Sequence, residues 1–212
     1  MKNAKTLIKR GRVIDPLTGI DQIADVLIID NKIQSVDTNI DLSAGPDVME
    51  ITAEGLVVCP GFVDLHAHLR EPGFEYKETI ATGTKAAVKG GFTSVCAMPN
   101  TDPAIDTPSM IEFVKMKGKS DASCRVYPIG AVTKGRKGKS IVDFLEMYSA
   151  GAVAFSDDGD PVYDSEIMRL ALEYAGPLNV PIMNHCQDLT ISPKGVMAEG
   201  EVSELLGLKG IP

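Results

Sequence analysis

Leu56-Val57-Val58-Cys59-Pro60-Gly61-Phe62-Val63-Asp64-Leu65-His66-Ala67-His68-Leu69-Arg70 is the stretch where the chain changes texture. Its first ten residues are nearly all apolar, as in a strand buried on both faces. Its last five alternate polar and apolar. On an extended strand alternate residues share a face, so His66, His68 and Arg70 are expected to point one way, with Asp64 behind them. Two imidazoles one strand period apart can hold one divalent ion, and neutral imidazole suits a borderline ion such as zinc. A His-x-His pair alone is weak evidence, so the case depends on what else reaches the same place.

Downstream the rhythm is strand, loop, helix, repeated. Strands are expected over 56–65, 92–98, 124–132, 152–155 and 180–184, with helices over 78–89, 108–117, 141–149, 165–175 and 202–206. Apolar strands alternating with helices indicate α/β architecture, a parallel sheet covered by helices. A dinucleotide-binding sheet would carry GxGxxG after its first strand, and this chain does not. Polar residues instead gather just past the strand ends: His66, His68 and Arg70; Asn100; Asp157 and Asp158; His185. Active sites of (β/α) barrels are assembled in that way. Five strands are counted where eight are needed. The expectation over 58–212 is therefore an incomplete (β/α) barrel, the chain being part of a longer protein; an open five-stranded sheet is the alternative.

Upstream, residues 1–57 read as a small β module. Short strands at 6–8, 12–14, 26–29, 33–36 and 48–51 are parted by Asp15-Pro16-Leu17-Thr18-Gly19 and Asp30-Asn31-Lys32, both good turn chemistry. The 212 residues are 44% hydrophobic and 24% charged, an ordinary globular balance. A net charge of −8 argues against a nucleic-acid partner, which would need a basic face. Cys59, Cys96, Cys124 and Cys186 form no CxxC pair and read as scattered buried thiols of a reducing compartment. No leader-like run opens the chain at residues 1–5. No apolar run nears the roughly 18 residues that span a bilayer, so a cytoplasmic protein without a membrane partner is expected. Thr133-Lys134-Gly135-Arg136-Lys137-Gly138-Lys139-Ser140 imitates a phosphate loop, but threonine stands where its first glycine belongs, which leaves a solvated, mobile loop. Glu199, Glu201 and Glu204 read as a solvated helix face.

Longer motifs carry a resemblance. Pro60-Gly61-Phe62-Val63-Asp64-Leu65-His66-Ala67-His68-Leu69-Arg70-Glu71-Pro72-Gly73 resembles the signature of the cyclic amidohydrolases, specifically the dihydroorotases. The resemblance continues through Gly90-Gly91-Phe92-Thr93, Met98-Pro99-Asn100-Thr101, Phe155-Ser156-Asp157-Asp158-Gly159 and Pro181-Ile182-Met183-Asn184-His185-Cys186. It implies a metal-dependent-hydrolase barrel preceded by a small β-sandwich-like module. It also implies one or two Zn2+ ions, with His66 and His68 as ligands of the first and His185 of the second. Asp158 matches the aspartate that binds, and in this branch bridges, the ions. Strand alternation lets only one of Asp157 and Asp158 face inward; family spacing favours Asp158. Some relatives bridge with a carboxylated lysine, but residues 152–158 contain no lysine.

By the same resemblance His68, Arg70 and Asn100 are substrate-binding residues, Arg70 and Asn100 holding a carboxylate. A planar guanidinium suits that task. The implied reaction is reversible cyclisation of N-carbamoyl-L-aspartate to L-dihydroorotate in pyrimidine biosynthesis. The family's proton-shuttling aspartate and a further histidine are expected beyond Pro212. No catalytic acid or base is thus assigned within the chain, and the 212 residues alone are expected to be inactive. Alternatives are an allantoinase- or hydantoinase-like enzyme, or a non-catalytic subunit supporting aspartate carbamoyltransferase; a homodimer is a further expectation. More ordinary roles are a salt bridge from Arg70 to Glu71 or Glu75, a turn cap at Asn100, and burial of Cys186.

Overall fold

The computed structural model describes residues 5–41, 48–188, 190–191 and 193–212. Residues 1–4, on which part of the expectation about the chain's opening falls, lie outside the described residues. The chain divides into two compact units, 1–61 and 62–212.

In the first unit β1 (Lys5–Asp15), β2 (Ile20–Ile29), β3 (Lys32–Asp37) and β4 (Val48–Thr52) lie in the order β3-β2-β1-β4. The short β5 (Val57–Val58) also pairs with β1. The two strands expected at 6–8 and 12–14 are one, interrupted by a bulge between Ile8 and Gly11. Arg10 takes a positive φ of 60° there. The buried Asp25 holds the bulge, accepting from Arg10 N at 2.8 Å and from Ile40 N at 3.0 Å. Asp30 and Asn31, with φ of 51° and 63°, close the β2–β3 hairpin as a two-residue turn with both φ positive, the form that matches strand twist. Among the described residues the module is a single mixed sheet, not a sandwich-like pair of sheets. β4 and β5 return parallel to β1 and extend its sheet instead of starting a second one.

That pairing also corrects the expected strand over 56–65. Val57 and Val58 belong to the first sheet, opposite Arg12 and Val13. After Pro60-Gly61 a new strand, β6 (Phe62–Ala67), starts the second unit. The division therefore falls after Gly61 rather than at residue 57.

The second unit runs β6, α1 (Ile80–Lys89), β7 (Phe92–Ala97), α2 (Pro108–Asp121), β8 (Arg125–Pro128), α3 (Phe144–Ala150) and α4 (Ser165–Ala175). The helices start where capping chemistry lies: Thr79, Thr107 followed by Pro108, Asp143 and Asp164 each accept a first-turn backbone N–H. β6, β7 and β8 form a parallel sheet in chain order. The expected strand over 124–132 is cut to four residues at Pro128, which has no N–H to donate. The expected fourth and fifth strands are extended segments joined by single parallel bridges, Phe155 pairing with Gly130 on one side and Ile182 on the other. Their backbone bonds keep the sequential order: Ser156 N to Gly130 O at 2.9 Å, and Met183 N to Phe155 O at 2.8 Å. Beyond them Met197–Ala198 and Gly210–Ile211 pair as a short parallel ladder around α5 (Glu201–Leu206), a feature the apolar pattern does not announce.

Both sheet faces are apolar, as the strand composition requires. The helices cover one with Ile80, Ile111, Val114, Phe144 and Met147, all buried. Cys96, Met98, Ile129 and Ala154 form a smaller cluster. β6 has one strand partner among the described residues and leaves Phe62, Val63 and Leu65 exposed. Phe155 sits at the junction of three segments, fully buried, its ring centroid 4.3 Å from that of Phe144. Phe155→Ala is expected to cost about 3–5 kcal/mol, read as a lowered urea midpoint.

Candidate metal centre

Parallel strands bring their C-terminal ends to one edge of the sheet, and the polar residues of the sequence motifs meet there. His66 lies near the end of β6, and His68 follows it. Asn100 follows β7, Asp158 the fourth segment, and His185 the fifth. His66, His68 and Asp158 each offer a donor atom within 4.8 Å of the others.

The spacing within this group is informative. His66 Nε2 and His68 Nε2 each lie 3.4 Å from Asp158 Oδ2, and His185 Nδ1 lies 3.4 Å from Asp158 Oδ1. These separations exceed the ordinary hydrogen-bond range of about 2.7–3.2 Å. They match the roughly 3.4 Å between donors placed about 2.1 Å from a tetrahedral ion. One carboxylate oxygen thus faces the His66/His68 pair while the other faces His185.

Asn100 settles the tautomer of His68. Its side-chain N–H donates to Asp158 Oδ2 at 3.3 Å, and a carboxylate can only accept. Its carbonyl oxygen is thereby turned to His68 Nδ1, at 3.0 Å, which must carry the proton. In the neutral ring Nε2 then presents a lone pair to the carboxylate. A lone pair against an anion at 3.4 Å becomes favourable with a cation between them, or with an added proton on the ring. One carboxylate balances only one of three imidazoliums, so the donor set suits a divalent ion better than protons. These residues fit the metal that the sequence resemblance implies.

Asp158 is almost buried, its side chain 8% exposed. Burial, the largest influence on its carboxyl, pushes the pKa up. The Gly159 N–H and the positive charge of His66, His68 and His185, present only when those rings are protonated, outweigh it together and leave the group below its ordinary value. Asp157 turns the other way. Its Oδ1 accepts from Val132 N at 2.8 Å and Thr133 N at 3.0 Å, and its Oδ2 accepts from Thr133 Oγ1. Burial dominates there and raises the pKa despite these bonds. The choice left open by alternation is decided by these long-range partners: Asp158 faces the imidazoles and Asp157 ties the fourth segment to the third.

Arg70 departs from the alternation argument. β6 ends at Ala67, Leu69 is buried in the helix-side core, and Arg70 has a φ of 61°. Its direction is therefore set by a left-handed residue, not by the strand pleat. Among the described residues its guanidinium has no ion pair. Glu71 instead pairs with Lys117 at 3.0 Å and accepts from Ile80 N, while Glu75 accepts from Gly73 N. Of the four expected buried thiols only Cys96 is buried; Cys124 is half-buried, and Cys59 and Cys186 are exposed, Cys186 following the short fifth segment instead of lying within it; all four cysteines are free. The loop after β8 is solvated, with Lys134, Lys137 and Lys139 exposed, and is tied down at several points. Thr133 is fully buried, Gly135 N donates to Asp106, and Arg136 pairs with Asp160 at 3.0 Å. Gln187, which no sequence motif marks, brings its carbonyl 3.1 Å from His185 Nε2. Its only signal in the sequence is a polar residue two positions past a ligand candidate.

The two aspartates should separate experimentally. Asp157→Ala strands three buried donors and is expected to cost on the order of 3 kcal/mol in urea unfolding of the metal-free chain. Asp158→Ala removes a carboxylate with no good hydrogen bond to the imidazoles and should change that stability by under about 1 kcal/mol.

A family model described as dihydro-orotase-like matches residues 55–212. A dihydroorotase of Aquifex aeolicus is 51% identical over 204 residues, covering 96% of this chain and 47% of the relative. One of Citrifermentans bemidjiense is 52% identical over 206 residues, 97% of this chain and 48% of the relative. The chain spans about half the length of the curated relatives it matches. Among solved structures, an L-hydantoinase (dihydropyrimidinase) from Arthrobacter aurescens aligns with a TM-score of 0.75 at 22% identity, covering 88% of this chain and 41% of that one. A dihydroorotase crystal structure aligns with a TM-score of 0.61 at 18% identity, covering 85% and 50%. At such identities these two speak for a shared fold. The family match runs from residue 55 through Pro212 and takes in every donor described above: the chain belongs to the dihydro-orotase-like family.

Proposed function

We propose that the chain supplies the first part of a dihydroorotase site, which interconverts N-carbamoyl-L-aspartate and L-dihydroorotate within a longer, cytoplasmic protein whose barrel is completed by further strands. The observation that carries this reading is Asp158, whose two oxygens face separate imidazole sets at equal 3.4 Å spacing. On this reading His66, His68 and Asp158 would hold one zinc ion, and Asp158 with His185 would hold a second. Zinc follows from the nitrogen-rich donor set. Bound there, the ions would polarise the ring amide carbonyl and lower the pKa of water.

The chain's own residues would bind and orient the substrate. Arg70, free of carboxylate partners among the described residues, would take the substrate carboxylate in a bidentate grip, with Asn100 beside it. Asn100 would then exchange its bond to Asp158 for one to substrate while still fixing His68. This carboxylate grip separates the dihydroorotase reading from the hydantoinase-like one. The proton for the leaving nitrogen is assigned to a residue outside this chain.

Aspartate carbamoyltransferase and a second copy of the chain are the partners proposed from the family resemblance; co-sedimentation of the longer protein tests both. No helix among the described residues is long and apolar enough to cross a membrane.

Zinc analysis with a substrate panel tests the proposal. The longer protein should carry zinc and turn over dihydroorotate, and His66→Ala should abolish both; a zinc-free, inactive protein would favour the scaffold reading. Arg70→Met should lower kcat/KM for dihydroorotate roughly 10²-fold, about 3 kcal/mol, with little effect on a ring lacking the carboxylate. The purified 212-residue chain should show negligible turnover; a rate near that of the longer protein would sink the view that the proton donor lies elsewhere.

A further inference from the structure

Gln187 belongs to none of the roles assigned above, yet it is the polar neighbour of His185 on the side away from Asp158. Its Oε1 lies 3.1 Å from His185 Nε2, while His185 Nδ1 faces Asp158 Oδ1 at 3.4 Å. Gln187 N also donates to His185 O at 2.8 Å, a three-residue turn that folds the chain back and sets the two side chains together. The imidazole is 37% exposed, so packing alone does not fix its ring.

We propose that Gln187 is a positioning residue for His185: its carbonyl holds the imidazole in the Nε2–H tautomer and so keeps the Nδ1 lone pair for a divalent ion shared with Asp158. The proposal rests on the metal-centre reading. A carbonyl oxygen only accepts, so the ring nitrogen facing it carries the proton and the opposite nitrogen is left bare. Asn100 does the same for His68 with the ring reversed, fixing Nδ1–H and freeing Nε2. The two histidines thus present opposite nitrogens to opposite oxygens of one carboxylate. Loss of such a partner to a ligand histidine ordinarily lowers metal affinity about 10–100-fold.

The chain has only three histidines, which makes the test direct. Nitrogen-15 spectra of the metal-free chain, well above the ordinary histidine pKa of ~6.5, report each tautomer. Wild type and Gln187→Glu should show His185 as a single Nε2–H form. Gln187→Leu should show a mixture, with the His66 and His68 signals unmoved as evidence of an intact fold. In zinc titration Gln187→Leu should weaken the second equivalent about 10–100-fold and spare the first, with Gln187→Glu restoring it. Unchanged His185 tautomer populations in Gln187→Leu, or an Nδ1–H form in wild type, would overturn the proposal. Zinc binding by none of the variants would count against the metal centre, and the metal-free spectra would still decide whether Gln187 sets the tautomer.

Discussion

The carboxylate of Asp158 is the constraint around which the candidate metal centre is organised. An ionised carboxyl this far from water is costly unless its lone pairs are met. Its neighbours meet them from different directions: Asn100 and the Gly159 N–H by hydrogen bonds, and His66, His68 and His185 at a spacing suited to ions. These groups come from separate strand ends. Asp158 is therefore both the electrostatic centre of the site and the place where four strand ends must agree in position.

The three residues 156–158 show how that agreement is enforced. Ser156 Oγ donates to Met183 O at 2.7 Å and accepts from Asp158 N at 3.1 Å, tying the fourth segment to the fifth. Asp157 reaches back to Val132 and Thr133 and ties it to the third. Regular ladder bonding is sparse in this part of the sheet, where Phe155 supplies the only bridges among the described residues of the fourth and fifth segments. Side-chain bonds add to the backbone bonds that join the third, fourth and fifth segments there. Two of three successive polar residues thus serve to aim the one between the imidazoles, and the apolar ring of Phe155 just before them anchors the group in the core.

Much of this is legible in the sequence. The apolar runs ending in His66-Ala67-His68, Asn100, Asp157-Asp158 and His185 announce a parallel α/β unit with polar residues at one edge. Other features are not. The run over 56–65 reads as one strand because apolarity does not say which sheet a strand joins; pairing of Val57 with Arg12 divides it. Arg70 looks aligned with the histidines until its positive φ removes it from the pleat. Cys186 reads as core because it lies in an apolar neighbourhood of the sequence, while the segment that would have buried it ends earlier.

What the bare chain specifies is the chemistry on offer: imidazoles, a carboxylate pair, an amide and a guanidinium placed after apolar strands. Residue type and local periodicity are properties of short stretches, so they survive without a fold. Folding in three dimensions selects which aspartate meets the histidines and which nitrogen each imidazole presents, and it sets Gln187 behind His185. Those choices depend on partners 25 to 58 residues apart, such as Val132 with Asp157 and Asn100 with Asp158, or on a local turn that no periodicity encodes. Hydrogen-bond direction then does the rest, since an acceptor on one side of a ring or amide dictates what the other side can offer.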